Sequence, residues 1–178
     1  APGAGAPRTG ADGDHLAGLE GITLWAAVGR LWHNGETGGA ISAGVPCEAA
    51  EPGWRAEVGA FAVDVLGPVR RYASPNDGSL VLRVRAASAV VLLPGDIEAI
   101  AQDDLGPLPA DVLKVPHQGA ATSDPDWLAA SAIGVAVISV GPNDFGHPAP
   151  EVLAVLEAAG VEVRRTDREG DVVIRLGG

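Results

Sequence analysis

Few side chains in this sequence can ligate a metal or move a proton, and most of them fall in four short clusters. Asp12-Gly13-Asp14-His15 lies near the start. Asp96 follows the apolar run Val91-Leu92-Leu93, His117 follows Leu113-Lys114-Val115, and Asn143, Asp144 and His147 follow Ile138-Ser139-Val140. The chain has only four His, at 15, 33, 117 and 147, and three of them sit in these clusters. His and Asp present nitrogen and oxygen ligands that suit Zn, Mn or Fe. Two such ions a few Å apart activate water and clamp a phosphoryl oxygen. Each piece also has a plain structural use. Asp12 and Asp14 suit a turn and a helix cap, and so does Asp96 after Pro94-Gly95. His117 and His147 suit hydrogen-bonded loops. His33 reads as structural or exposed, Cys47 as a small packing residue, and the four Trp as core or rim.

The elements that must position these residues follow from hydrophobic periodicity. Residues 1–8 read as a flexible lead-in and 9–178 as one domain. The pattern predicts a helix over 14–28, a strand over 29–33, and a long loop over 34–56 with a strand near Ile41. Strands follow at 58–66 (Phe61, Val63 and Val65 on one face), at 79–86 (Leu80, Leu82 and Val84 inward, Arg83 and Arg85 outward) and at 88–93. The last is a continuous apolar run of the kind buried on both faces. Next come a helix over 97–104, a strand over 111–115, a helix over 124–132, a second buried strand over 134–140 and a helix over 149–159. Strands over 161–165 and 171–176 close the chain. This is an α/β layered order. In such folds ligand sites collect at strand C-terminal ends, where Asp96, His117 and His147 fall.

Composition narrows the classes. Lys plus Arg number 12 against 23 Asp plus Glu, a formal charge of −11, so bulk electrostatics will not hold a nucleic acid; a bound metal or a local basic patch still can. One cysteine excludes an internal disulfide and a Cys-based zinc cluster. There is no apolar run of about 18 residues to span a membrane, and the first eight residues lack the apolar core of a signal peptide. With no Met in the chain, Ala1 is expected not to be a translation start.

Taken in order, GADGDHLAGLEGI, NDGSLVLRV, VVLLPGDIE, ADVLKVPHQGA and VAVISVGPNDFGHPAPEVLAVLEAAGVEVRRTDREGDVVI resemble the C-terminal metallo-β-lactamase-like domain of ComEC-type DNA-uptake proteins. The match runs from about residue 9 to 175, and LKVPH-x-G followed by VISVG-x-N-x-x-GHP is its most specific part. The resemblance implies an αββα sandwich with a metal site at the sheet edge. It places the family's H-x-D-x-D-H on Gly10, Asp12, Asp14 and His15, with the first His replaced by Gly. T-G-D falls on Pro94-Gly95-Asp96, and P-H-H-G-S on Pro116-His117-Gln118-Gly119-Ala120. G-H-P-H falls on Gly146-His147-Pro148-Ala149, and N-D-x-S on Asn76, Asp77 and Ser79. Three imidazoles and a hydroxyl are therefore replaced, at Gly10, Gln118, Ala149 and Ala120. Loss of one such group typically costs about 10- to 100-fold in metal affinity or activity. The strand pair carrying D-V-G-Q-G-D that precedes the first His in the family has no match, so N-terminal strands are expected to be missing; an uncovered sheet edge invites self-association.

The function implied is that of a domain of a bacterial membrane DNA-uptake protein, on the extracytoplasmic side, beside the rest of a channel protein. It would hydrolyse phosphodiesters with a divalent metal, Mn or Zn, and degrade the non-transported DNA strand through single-stranded DNA bound at the metal. Asp12, Asp14, His15, Asp96 and His147 are the implied metal residues, Asp96 bridging. Asp14 is base or ligand, His117 is catalytic, and Lys114 neutralises a phosphate. The substitutions leave a second reading open, a non-catalytic domain with a structural or DNA-guiding role. A third is a stand-alone metallo-hydrolase of a small ester, since this scaffold hosts many chemistries.

Overall fold

The computed structural model describes residues 29–35, 45–86 and 89–176. They fall in two compact units, one ending at Ala50 and one beginning at Glu51. In the first, Leu31–His33 (β1) and Cys47–Ala49 (β2) pair in parallel. His33 is a structural acceptor, its Nδ1 taking the Gly35 N–H at 3.0 Å. Cys47 is exposed rather than packed, with its Sγ 3.3 Å from the Val45 carbonyl oxygen. The expected helix over 14–28 and the strand near Ile41 lie outside the described residues, as does the end of the lead-in at residue 8.

The second unit is organised by one seven-stranded sheet. Its strands are Arg55–Val58 (β3), Phe61–Gly67 (β4), Val81–Ala86 (β5), Ala89–Leu93 (β6), Ala110–Lys114 (β7), Ile133–Ile138 (β8) and Glu162–Arg165 (β9), and their order in space is their order in sequence. From β3 to β6 the neighbours are antiparallel hairpins; from β6 to β9 they are parallel. Parallel neighbours require crossovers. Helices Ala99–Leu105 (α1), Pro125–Ala130 (α2) and Pro150–Ala158 (α3) provide them, and a last turn of helix, Thr166–Glu169 (α4), follows β9.

Two expectations about strands are corrected. The region 34–56 is not a plain loop, for it contains β2 and the start of β3; the single strand over 58–66 is instead a hairpin turning at Gly59-Ala60, with Val58 opposite Phe61. Phe61 is exposed, while Val63 and Val65 are buried as expected. The closing strand over 171–176 does not form: its residues are unpaired coil, and Val173 is 73% exposed. Alternation of Val and Ile makes a segment fit for pairing, yet a strand needs a ladder partner, and the described sheet ends at β9.

The register explains the core. Leu92, Leu113 and Ala136 lie side by side on β6, β7 and β8 and are essentially inaccessible, because the helices pack on that face. Ile97, Trp127, Leu128, Ile138 and Leu156 belong to the same cluster. The apolar run of β6 is accordingly not buried on both faces: Leu92 is buried while its neighbour Leu93 is 38% exposed. On β8, Ala136 and Ile138 are buried, but Gly134 is exposed. Trp127 earns its place in the core through its polar edge, with Nε1 donating to the Gly106 carbonyl at 2.7 Å. Buried Gln102 satisfies both of its ends, donating to the Ile97 carbonyl and accepting the Asp124 N–H. Asp124 in turn caps α2 by accepting from Asp126 at 2.8 Å.

The connection between β4 and β5 is tied to α1. Arg70 pairs with Asp104 at 2.6 Å, its guanidinium lies 4.5 Å over the Tyr72 ring, and the Tyr72 hydroxyl donates to Asp104 at 2.9 Å. Burial, then the hydrogen bond to the Asp104 carboxylate, push the Tyr72 phenol from its ordinary 10.0 up to about 12. A folded-state value above the unfolded one means that this contribution is complete below pH 10 and is lost as pH rises toward 12. Urea midpoints measured across that window should fall with pH in the native chain. Tyr72→Phe should flatten this slope while lowering the midpoint modestly near neutrality.

Candidate active site

The loops after β6, β7 and β8 meet at the C-terminal ends of three adjacent parallel strands. The first carries Asp96. The residue is only 5% exposed, its backbone N–H donates to Ser79 Oγ at 3.1 Å, and its Oδ1 lies 3.5 Å from Lys114 Nζ at the end of β7. Lys114 Nζ also donates to the Gly95 carbonyl at 3.3 Å. The lysine expected to neutralise a phosphate thus stands as the counter-charge of the buried carboxylate.

The second loop is the 3-10 turn Pro116–Gly119, which places His117 at φ 45° and Gln118 at φ 56°. Left-handed backbone at two successive non-glycine residues is strained, and such strain is held only where surrounding structure over-determines it. Here the His117 N–H donates to the Gly95 carbonyl, and the Ala149 N–H donates to the Gly119 carbonyl at 2.8 Å. The His117 Nδ1 is buried and makes no well-formed hydrogen bond, although Glu98 Oε1 is 3.5 Å away.

The third loop carries His147, followed by a cis bond to Pro148. One side chain organises it: Asn143 Oδ1 accepts the Phe145 and His147 N–H groups, and Nδ2 donates to the Gly141 and His147 carbonyls at 2.9 Å. The His147 ring meets the His117 ring edge-on, centroids 5.4 Å apart. Burial, then repulsion from His117, hold the His147 imidazole below its ordinary 6.5, with Asp96 opposing. His147 is therefore neutral at pH 7 and offers a lone pair.

Sequence reasoning singled out Asp96, Lys114, His117 and His147, and the fold brings these four together. Asp12, Asp14, His15 and Gly10 lie outside the described residues. Of the other substituted positions, Ala120 and Ala149 are buried, at 2% and 5% exposure, and Ala149 belongs to the core cluster. Glu98 was missed. It sits two residues past Asp96 and faces His117 while receiving Ser74 Oγ and Asn76 Nδ2 at 3.3 Å each. The signal available was its adjacency to Asp96, the same stretch that matched T-G-D. Asn76, Asp77 and Ser79 prove to be scaffold for this corner.

Asp77 is the clearest case. It is 2% exposed and accepts the N–H groups of Glu98 at 2.8 Å and Ala101 at 3.3 Å, capping α1 from a loop distant in sequence. Asp77→Ala strands two donors and should destabilise by about 1–3 kcal/mol. Asp77→Asn, which keeps an acceptor oxygen, should lose clearly less in urea unfolding.

A divalent ion needs at least three such ligands around one point. Asp96, His117 and His147 have the right chemistry, but among the described residues no group of three or more His, Cys, Asp or Glu is placed to hold an ion. The described donors alone do not make a metal centre.

No family model matches the chain. Among curated proteins, competence protein ComA of Neisseria gonorrhoeae is 32% identical over 180 residues, covering 93% of this chain and 24% of that protein. ComE operon protein 3 of Bacillus subtilis strain 168 is 32% identical over 109 residues, 58% of this chain and 14% of that protein. The chain thus spans a quarter or less of the length of these relatives. Among solved structures, a metallo hydrolase from the archaeon Ignicoccus hospitalis aligns with a TM-score of 0.59 at 19% identity, covering 95% of this chain and 78% of that one. The metallo-β-lactamase fold protein YhfI of Bacillus subtilis aligns at 0.52 and 12% identity, covering 86% and 71%. These structures establish the fold and the competence proteins establish the lineage: the chain belongs to the metallo-β-lactamase-like domains of ComEC-type competence proteins.

Proposed function

We propose that this chain is the hydrolytic domain of a DNA-uptake membrane protein and cleaves phosphodiesters of the non-transported strand with the help of a divalent ion. The observation that carries the reading is the convergence of Asp96, His117, His147 and Lys114 at the ends of β6, β7 and β8 in a domain of competence-protein lineage. Asp12, Asp14 and His15 are proposed as further metal residues, with Asp14 as base or ligand. A Mn²⁺ or Zn²⁺ ion held there supplies positive charge for a phosphoryl oxygen. Of the described residues, His147 and His117 bring imidazole nitrogens to the site, and Lys114 offsets the charge of Asp96. An extracytoplasmic position is part of the proposal; no helix of the described residues is long and apolar enough to cross a membrane.

The test is metal stoichiometry by ICP-MS after reconstitution with Mn²⁺ or Zn²⁺, with cleavage of single-stranded DNA followed in the same samples. One or two ions per chain with metal-dependent cleavage supports the reading. The Lys114–Asp96 contact and the lack of a three-donor group among the described residues favour a second reading, a non-catalytic domain that guides or docks. No bound ion and no cleavage would establish it. Hydrolysis confined to small esters would instead point to a stand-alone hydrolase.

A further inference from the structure

Phe145 is 83% exposed, the most exposed large apolar side chain among the described residues, and it stands in the loop that carries His147. An isolated exposed apolar residue is ordinary, but this one is not isolated. Its ring stacks on His147, centroids 5.8 Å apart and planes 20° from parallel, and His147 meets His117 at 5.4 Å. Three rings thus form a row from open solvent to the corner that holds Asp96. The loop does not leave Phe145 free to fold away, because Asn143 fixes the Phe145 N–H at 3.1 Å and the His147 backbone on both sides.

We infer that the outer face of Phe145 is a nucleobase-stacking subsite that holds one unpaired base of the strand. The inference rests on the proposed phosphodiester chemistry and names the residue that positions its substrate. Two physical arguments support it. With a formal charge of −11, the chain cannot draw a polyanion by its overall field, so affinity must come from local contacts at the site. Stacking on an aromatic face is such a contact, and every base has one. In a duplex the faces are already stacked on one another, so an exposed ring at the site selects unpaired strands. One base on Phe145 would leave its flanking phosphate near His147 and the Asp96 corner.

The test uses the full chain with Mn²⁺, on ice, and fluorescence anisotropy with three probes linked by phosphorothioates to slow cleavage: an oligothymidylate, an abasic strand of the same length and a duplex. Expected is tighter binding of oligothymidylate than of the abasic strand by roughly 5- to 150-fold, the range one base–aromatic stack supplies. Phe145→Leu, apolar but without a π-face, should erase that difference. Phe145→Trp should keep or enlarge it, and the duplex should not respond to either change. Equal binding of both single strands, unaffected by Phe145→Leu, would overturn the stacking subsite while leaving the hydrolytic reading in place. Binding of no probe at all would overturn both. Since Phe145 is exposed, thermal midpoints of the variants should match the native chain.

Discussion

Asp96→Ala should abolish both metal retention and cleavage of single-stranded DNA, lowering cleavage by about 100-fold or more. Groups that merely orient a ligand typically cost about 10- to 100-fold when removed, and a buried carboxylate at the centre of the site should exceed that range. The variant should still fold. Asp96 contributes its backbone N–H to Ser79 whatever its side chain, and Lys114 keeps the Gly95 carbonyl as acceptor. Lys114 Nζ belongs to a side chain that is 27% exposed, so water can solvate the charge left behind. The same variant separates the two functional readings. If Asp96 serves only as one half of a structural ion pair, its removal should cost stability, about 3–5 kcal/mol at the fully buried limit, with no change in metal content. If it serves catalysis, metal content and rate fall while the unfolding midpoint moves little. Asp96→Asn, nearly the same shape without the charge, checks that the result is not a packing effect.

Gly119→Ala should be strongly destabilising for so conservative a change near the site. Its φ is +80°, and a Cβ there would lie 2.7 Å from Pro148 Cβ and 3.3 Å from Pro148 Cα. The left-handed backbone costs an L-residue about 1–2 kcal/mol. Forcing a methyl into an occupied site adds about 1–3 kcal/mol. The total, about 2–5 kcal/mol, corresponds to a thermal midpoint roughly 4 to 20 °C lower for a chain of this size. Because Gly119 closes the His117 turn and Pro148 follows His147, the relief of that clash must push the two imidazoles apart. Metal retention and cleavage should fall together with stability. Gly146→Ala is the matched control. It has a similar φ of +79° but nothing within 4 Å of an added Cβ, so only the backbone cost of about 1–2 kcal/mol applies. Equal losses for the two variants would show that Pro148 yields and that the site is not held by this contact.

The strands and helices around the site were legible because each is short and clearly punctuated. SAVVLL stops at Pro94-Gly95, DVLKV at Pro116, and GVAVISV at Gly141-Pro142. Such punctuation marks both the end of a strand and the place where polar residues gather, so Asp96, His117 and His147 could be chosen before any contact was known. Where the reading failed, a local pattern had more than one tertiary outcome. DVVIRL alternates like a strand but has no ladder to join, and the apolar run of β6 is exposed on one face at Leu93. The hairpin at Gly59-Ala60 was read as one strand because Val58 and Phe61 continue the apolar alternation across the turn.

From local patterns and the family motifs alone came the α/β order, the three strand ends and the chemistry of the groups placed there. Local sequence controls backbone propensity and periodicity, and these act over a few residues. The tertiary structure alone decided what each polar group does. Lys114 became the partner of Asp96, separated from it by a whole crossover, and Asp77 became the cap of a helix it does not belong to. Glu98 came to face His117, and Phe145 was left on the surface stacked upon His147. Such pairings depend on distances between side chains far apart in sequence. Those distances are set by the register of β6, β7 and β8 and by how their loops close, and periodicity along the chain carries no record of them.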